Sequence, residues 1–202
     1  MKKRELTKDL YEETASQPGM RSKLDGVWIG ACTTTHIYCR TVCPAVGHVN
    51  RENVVVFLSP AAAEAAGYRP CLTCCPEDMP TPSTDGGFSE QAVAWAQAVS
   101  ESIAASDTLE ATCEKLGITA AAADELTQAQ FGAMAAQYVT TARRLSAKKM
   151  LREGNPTLSD VALATGYASG AALAADFKTA YKLDAQKLAN QRPKKPRLGH
   201  FA

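Results

Sequence analysis

The chain has 202 residues, of which 46% are hydrophobic, and a net charge of +1. That length allows one large domain or two small ones, and the hydrophobic share permits a buried core. No run of about 18 apolar residues occurs, which excludes a membrane-spanning helix, and Met1-Lys2-Lys3-Arg4 leads into a polar, acidic stretch unlike a secretion signal.

Seven cysteines without a secretion signal point to a reducing, cytoplasmic setting, in which clustered thiols bind metal more often than they pair. The small net charge conceals an asymmetry. Residues 1–80 carry nine basic and nine acidic side chains, residues 81–108 four acidic and no basic ones, and residues 140–202 twelve basic against four acidic. A basic C-terminal third suggests a polyanionic partner, nucleic acid first among them.

Taken in chain order, Val27 to Thr35 and Val54 to Leu58 are rich in strand formers. Ser59-Pro60 then opens an alanine-rich helix with Glu64 near its start. This predicts a small α+β unit over residues 1–80. Proline and glycine punctuate residues 79–87, which predicts a linker over 81–88. Beyond it no strand signal survives. Helices are expected at 89–104, 107–116, 119–130, 133–153, 158–165, 169–181 and 184–191, an all-α domain over 89–202. Ser106-Asp107, Thr119, Thr157, Ser169 and Asp184 are the expected caps, and Gly117, Gly154-Asn155-Pro156 and Gly166 the expected stops.

The strongest chemical signal is Cys39-x3-Cys43, a gap of 27 residues, then Cys71-x2-Cys74. Two close pairs, each beside a proline, suit one tetrahedral zinc ion held by four thiolates. Cys75, next to Cys74, could compete for the metal. Cys32 on the first strand reads as a small core residue. A four-cysteine site is usually closed and structural. Its thiolates nevertheless stay ionised at neutral pH, and a thiolate is the nucleophilic form of cysteine.

The stretch from Thr34 to Ala45, TTHIYCRTVCPA, resembles the TTGIYCRPSCPA motif of the Ada family. Arg51-Glu52-Asn53-Val54 matches that family's RENV, and the run from Ala66 to Cys74 resembles its AGFRPCKRC. The likeness covers residues from about 15 to 78. It implies zinc bound by Cys39, Cys43, Cys71 and Cys74, with Cys39 accepting a methyl group irreversibly from a methylphosphotriester in DNA. It also places Thr35, Arg40 and Arg69 toward DNA. The departures are His36 where the family has glycine, Val46-Gly47-His48 where an arginine is usual, and Leu72-Thr73 in place of a basic pair. Lost cations mean lost phosphate contacts, which His48 could replace only in part.

Val161 to Ser169, followed by Phe177-Lys178, resembles the second helix-turn-helix of AraC-type regulators, with a first copy around Cys113 to Thr119. Cys113 takes the small-residue position of the turn and reads as core. Helix 133–153 would join the copies, with Arg143, Arg144, Lys148 and Lys149 exposed. With no PCHR motif or second methyltransferase domain following, the resemblance implies the shorter architecture of the family. That architecture is a methyl acceptor and a transcription activator, so double-stranded DNA and RNA polymerase are the expected partners of a monomeric, nucleoid-associated chain. The recognition helices, starting at Thr119 and Ser169, carry no Arg, Lys, Asn or Gln in their first two turns, which predicts poor base readout. The candidate DNA contacts in this half are Arg143, Arg144, Lys148, Lys149, Ser169 and Lys178, supported by Lys182 and the basic tail Arg192 to Arg197.

Overall fold

The computed structural model describes residues 20–44, 49–153 and 156–189. Among the described residues the N-terminal unit has first one helical turn, α1 (Met20–Lys23), then strands β1 (Ile29–Cys32) and β2 (Ile37–Arg40). A 3-10 turn, Arg51–Asn53, leads into β3 (Val54–Phe57), then come helix α2 (Pro60–Ala65) and the two-residue strand β4 (Arg69–Pro70). The sheet order is β3-β1-β2-β4, with β1 antiparallel to both neighbours and β4 parallel to β2. Strands at 29–32 and 54–57 fall in the two predicted stretches. β2 and β4 are additions: β2 lies in the cysteine motif and not in a run of strand formers, and β4 is only two residues long. Ile29, Ala31 and Tyr38 pack with Ala63 of α2 to form the core of this unit. The Ser59 hydroxyl caps α2 by accepting from the Ala62 N–H, and Glu64 lies near the end of the helix, not its start.

Among the described residues seven helices follow: α3 (Glu90–Ala105), α4 (Leu109–Leu116), α5 (Ala120–Phe131), α6 (Ala135–Glu153), α7 (Leu158–Ala164), α8 (Gly170–Ala180) and α9 (Ala185–Ala189). Each overlaps one predicted helix. Thr119, Thr157 and Ser169 cap as expected, and Thr157 forms a reciprocal capping box with Asp160. Thr108, not Ser106-Asp107, caps α4; Ser106 instead closes α3 in the left-handed region. Gly117 and Gly166 stand at equivalent turns with φ of +63° and +72°, a conformation that side chains disfavour. The two α-turn-α pairs, α4–α5 and α7–α8, are thereby built alike. The predicted stop at Gly154-Asn155 lies outside the described residues.

α6 belongs to both halves of the helical domain. Its first part joins Trp95, Phe131 and Leu126 in one core, and its later residues Ala147 and Leu151 join Val161, Leu173, Phe177 and Tyr181 in a second. At 19 residues it is about 28 Å long, a stiff bar between the two pairs. The N-terminal unit rests on this bar. The Ser59 hydroxyl donates to the Phe131 carbonyl at 2.7 Å, and Glu64 reaches across to Thr141, Arg144 and Tyr181. This is a small strand-containing domain followed by a helical region of two α-turn-α pairs.

Candidate metal centre

Residues alternate sides along a strand. On β2 the half-buried Ile37 and Cys39 share one face, while Tyr38 and Arg40 turn inward at 0% and 8% exposure. Cys43 follows after a tight turn in which its N–H donates to the Arg40 carbonyl at 3.0 Å. Cys71 leaves β4 with its N–H on the Tyr38 carbonyl at 2.9 Å, so the parallel β2–β4 pairing brings the second cysteine pair beside the first. The four sulfurs lie within 4.8 Å of one another. Four sulfurs around one zinc, at the usual Zn–S distance, lie about 3.8 Å apart, so the cluster has the size and donor set for Zn²⁺. By themselves the thiols would share protons. Hydrogen bonds first with Cys43 and then with Cys71 push the Cys39 thiol well above the ordinary range, and those from Cys39 and Cys43 hold Cys71 well below it. A divalent cation among the sulfurs removes that conflict. These four residues therefore hold one Zn²⁺.

Backbone donors are distributed unevenly over the cluster. The Arg40 N–H donates to Cys74 Sγ and the Thr73 N–H to Cys71 Sγ, each at 3.3 Å. Among the described residues no N–H donates to Cys39 Sγ. All four ligand positions sit inside the protein, and Cys39 is the one residue of the set that is half-buried where the others are buried. Cys75 stays out of the cluster. It adopts φ 50° and ψ 75°, and its thiol points to the carbonyls of Leu72 and Thr73. Cys113 is buried, as expected, but Cys32 is only half-buried. Hydrogen bonds from the Thr34 hydroxyl and then the Thr35 hydroxyl lower the Cys32 thiol to about 7.

The other predicted contacts divide into free and committed groups. Thr35 is exposed in the β1–β2 turn, beside His36, which takes a left-handed φ of 51° where the motif has glycine. Arg69 is half-buried and has Ile37 as its β2 partner, which puts it on the Cys39 face; among the described residues no carboxylate pairs with it. Arg40 is a correction. Strand parity turns it inward, where its guanidinium grips Asp25 and reaches the Cys74 carbonyl, so it braces the cluster from behind.

In the helical domain the expected exposure of Lys148 is also corrected. Its side chain is 1% exposed and forms an ion pair with the fully buried Glu77. Arg144 is tied to Asp176 at 2.6 Å and to Glu64 at 3.2 Å, and Arg143 donates to the Asp107 carbonyl. Lys149 and Lys178 are the more open cations. Ser169 is exposed, but its hydroxyl already caps α8 by accepting from the Ala172 N–H. His48 and the tail Arg192 to Arg197 lie outside the described residues. Sequence reasoning missed Glu64 and Glu77 as partners; the available signal was a lone carboxylate within the apolar run 60–66 and an acidic pair directly after the second cysteine knuckle.

Residues 19–77 match the family described as the metal binding domain of Ada, and residues 112–191 match a helix-turn-helix domain. A Mycobacterium tuberculosis protein, probable bifunctional transcriptional activator/DNA repair enzyme AlkA, is 30% identical over 149 residues, 73% of this chain and 30% of that protein. Escherichia coli Ada is 47% identical over 53 residues, 26% of this chain and 15% of the relative. Bacillus subtilis AdaA is 26% identical over 143 residues, 69% of this chain and 63% of the relative. The chain thus spans about 30% of the length of the mycobacterial relative. The chain carries a region that matches the metal binding domain of Ada over residues 19–77, followed by one that matches a helix-turn-helix domain over residues 112–191.

Proposed function

We propose that the chain repairs methylphosphotriesters in DNA by transferring the methyl group to Cys39, once per molecule, and that the helical domain couples this event to transcription. One observation carries the reading: of the four clustered cysteines Cys39 alone is half-buried where the other three are buried, and among the described residues no N–H donates to its sulfur as one does to Cys71 and to Cys74. Zinc, when bound, keeps the sulfurs ionised at neutral pH, so no general base is required. The Cys39 thiolate attacks the methyl carbon in line. A C–S bond forms, the methyl–oxygen bond breaks, and the electron pair leaves with the phosphate oxygen, restoring an anionic phosphodiester. Arg69, on the same face and without a carboxylate partner among the described residues, attracts the phosphate and stabilises that developing charge. Arg40 contributes indirectly, by fixing the Cys74 loop through Asp25.

Methylation lowers the negative charge of the four-sulfur centre by one unit. At an effective dielectric of 20, one charge about 6 Å from a phosphate is worth roughly 3 kcal/mol before screening, enough to change DNA affinity several-fold. Binding to double-stranded DNA would then recruit RNA polymerase to alkylation-response genes.

A second reading is favoured by the half-buried Ile37 and by Leu72, 46% exposed, which make the rim of the site apolar. In it, small uncharged methylating agents reach Cys39 directly. Peptide mapping after incubation with methylphosphotriester DNA, or with a small methyl donor, tests both. The proposal expects one added methyl on the Cys39 peptide from DNA. Methyl gain only from the small donor supports the second reading, and gain on Cys32 or Cys75 overturns both.

A further inference from the structure

Arg144, Lys148 and Arg152 are spaced four apart on α6 and form one row. The row faces the zinc domain. Lys148 pairs with Glu77 with both side chains almost fully buried. Arg152 donates to Asp78 at 2.5 Å and lies 3.2 Å from the second Glu77 oxygen. Arg144 meets Glu64 at 3.2 Å, and Lys149, beside the row, lies 3.9 Å from Asp78. Three carboxylates of the zinc domain therefore hold four cations of the helix that joins the two α-turn-α pairs.

A row of Arg and Lys is also what a phosphate backbone binds. We infer that the zinc domain and the DNA backbone compete for the α6 cations, so that the docked arrangement restrains DNA binding. Competition of this kind is an exchange: each cation that leaves a carboxylate gains a phosphate, so opening strands no buried charge. The remaining exposed charge strengthens the case. Around the first α-turn-α pair, α4 and α5 present Glu110, Glu114 and Glu125 to solvent, and the first recognition helix exposes Ala120, Ala121 and Ala122. The α6 row thus lies on the helix that joins the two pairs, while the exposed Lys178, Lys182 and Lys187 sit at the far end of the domain, on and after α8.

The clamp is tied to the metal centre by chain continuity. Glu77 and Asp78 sit in the 3-10 turn Pro76–Asp78, three and four residues after Cys74, and enter it through the left-handed Cys75. A left-handed backbone at a residue bearing a side chain persists only where its surroundings hold it. A shift of the Cys74 knuckle therefore moves the carboxylates that grip Lys148 and Arg152.

The inference rests on the DNA-binding part of the proposed function and is independent of methyl transfer, so the test uses an unmodified duplex of random sequence. The zinc-loaded full chain is titrated at several salt concentrations as wild type, Asp78→Asn, Glu77→Gln and Asp85→Asn. Asp85 is exposed in the 84–87 turn and controls for the change of one net charge. Asp78→Asn should bind about fivefold more tightly than Asp85→Asn, with a log–log salt slope steeper by about one for each cation freed. Equal affinity and slope for these two variants overturn the inference. If Glu77→Gln fails to fold, Asp78→Asn, whose side chain is 23% exposed, carries the test alone. Absence of binding in every variant overturns both this inference and the DNA-binding reading.

Discussion

Tyr38 and Tyr181 donate their hydroxyls to the same Glu64 oxygen, at 2.9 and 2.7 Å. One tyrosine immediately precedes Cys39; the other follows α8, the second recognition helix. The second Glu64 oxygen accepts from Thr141 at 2.9 Å and from Arg144 at 3.2 Å. A single carboxylate, from an otherwise apolar helix, is thus satisfied by four donors drawn from both domains.

Glu64→Gln keeps the shape but turns half of the acceptor into a donor facing hydroxyls and a guanidinium. The expected cost at neutral pH is about 2 kcal/mol, read as a lower urea midpoint. The pH dependence has a definite sign. Burial raises the Glu64 carboxyl above its ordinary range, and the hydrogen bonds from Tyr181, Thr141 and Tyr38 offset this only in part. A raised folded pKa contributes stability that is complete below the unfolded carboxylate value and is lost as pH rises through the folded one. The gap between wild type and Glu64→Gln should therefore be widest in mild acid and narrow toward neutrality. A gap that widens with rising pH contradicts this.

Lys148→Met should cost about 3–5 kcal/mol, because it leaves Glu77 charged and buried. Pairing it with Glu77→Leu should recover most of that loss, since two apolar groups need no partner. Thermal denaturation of both singles and the double closes a mutant cycle. Additive losses would mean that the two side chains do not interact.

Metal analysis of the purified chain should give one zinc, and a strong chelator should remove it together with the sheet signal in the far-ultraviolet spectrum. Cys43→Ser, Cys71→Ser or Cys74→Ser should each do the same without chelator, as metal binding here contributes directly to folding. A zinc-free N-terminal domain that retains hydrogen-exchange protection in β1 and β2 would refute this.

Binding to DNA should discriminate little between sequences, below the roughly 10³-fold usual for specific binders. The exposed positions of α5 include Ala120, Ala121, Ala122 and Glu125, and those of α8 include Ala171 and Ala175, so few side chains can reach base edges. Lys178→Ala should weaken binding to all duplexes alike and lower the salt slope by about one. Competition titrations with promoter and random duplexes decide it.

The helices and the zinc ligands were legible because their causes are local. Capping residues, glycine turns and paired cysteines all act within a few positions of themselves. The inward turn of Arg40 is also written locally: neighbours on a strand face opposite sides, so Cys39 and Arg40 cannot share a face. The burial of Lys148 has no such local sign. Its partner Glu77 lies 71 residues away, and nothing near either residue marks the pairing. Cys75 sits next to a ligand in sequence, and only backbone geometry shows that it does not compete, because its thiol turns toward the Leu72 carbonyl.

The buried Glu77–Lys148 pair bears on how the two halves can be inherited. A zinc domain grafted from this chain onto another helix-turn-helix scaffold would bring a desolvated carboxylate to a helix with no lysine waiting for it. Drift at either position alone would be punished in the same way. The halves look modular as sequence, but recombination between relatives would have to carry the segment 76–78 and helix α6 together.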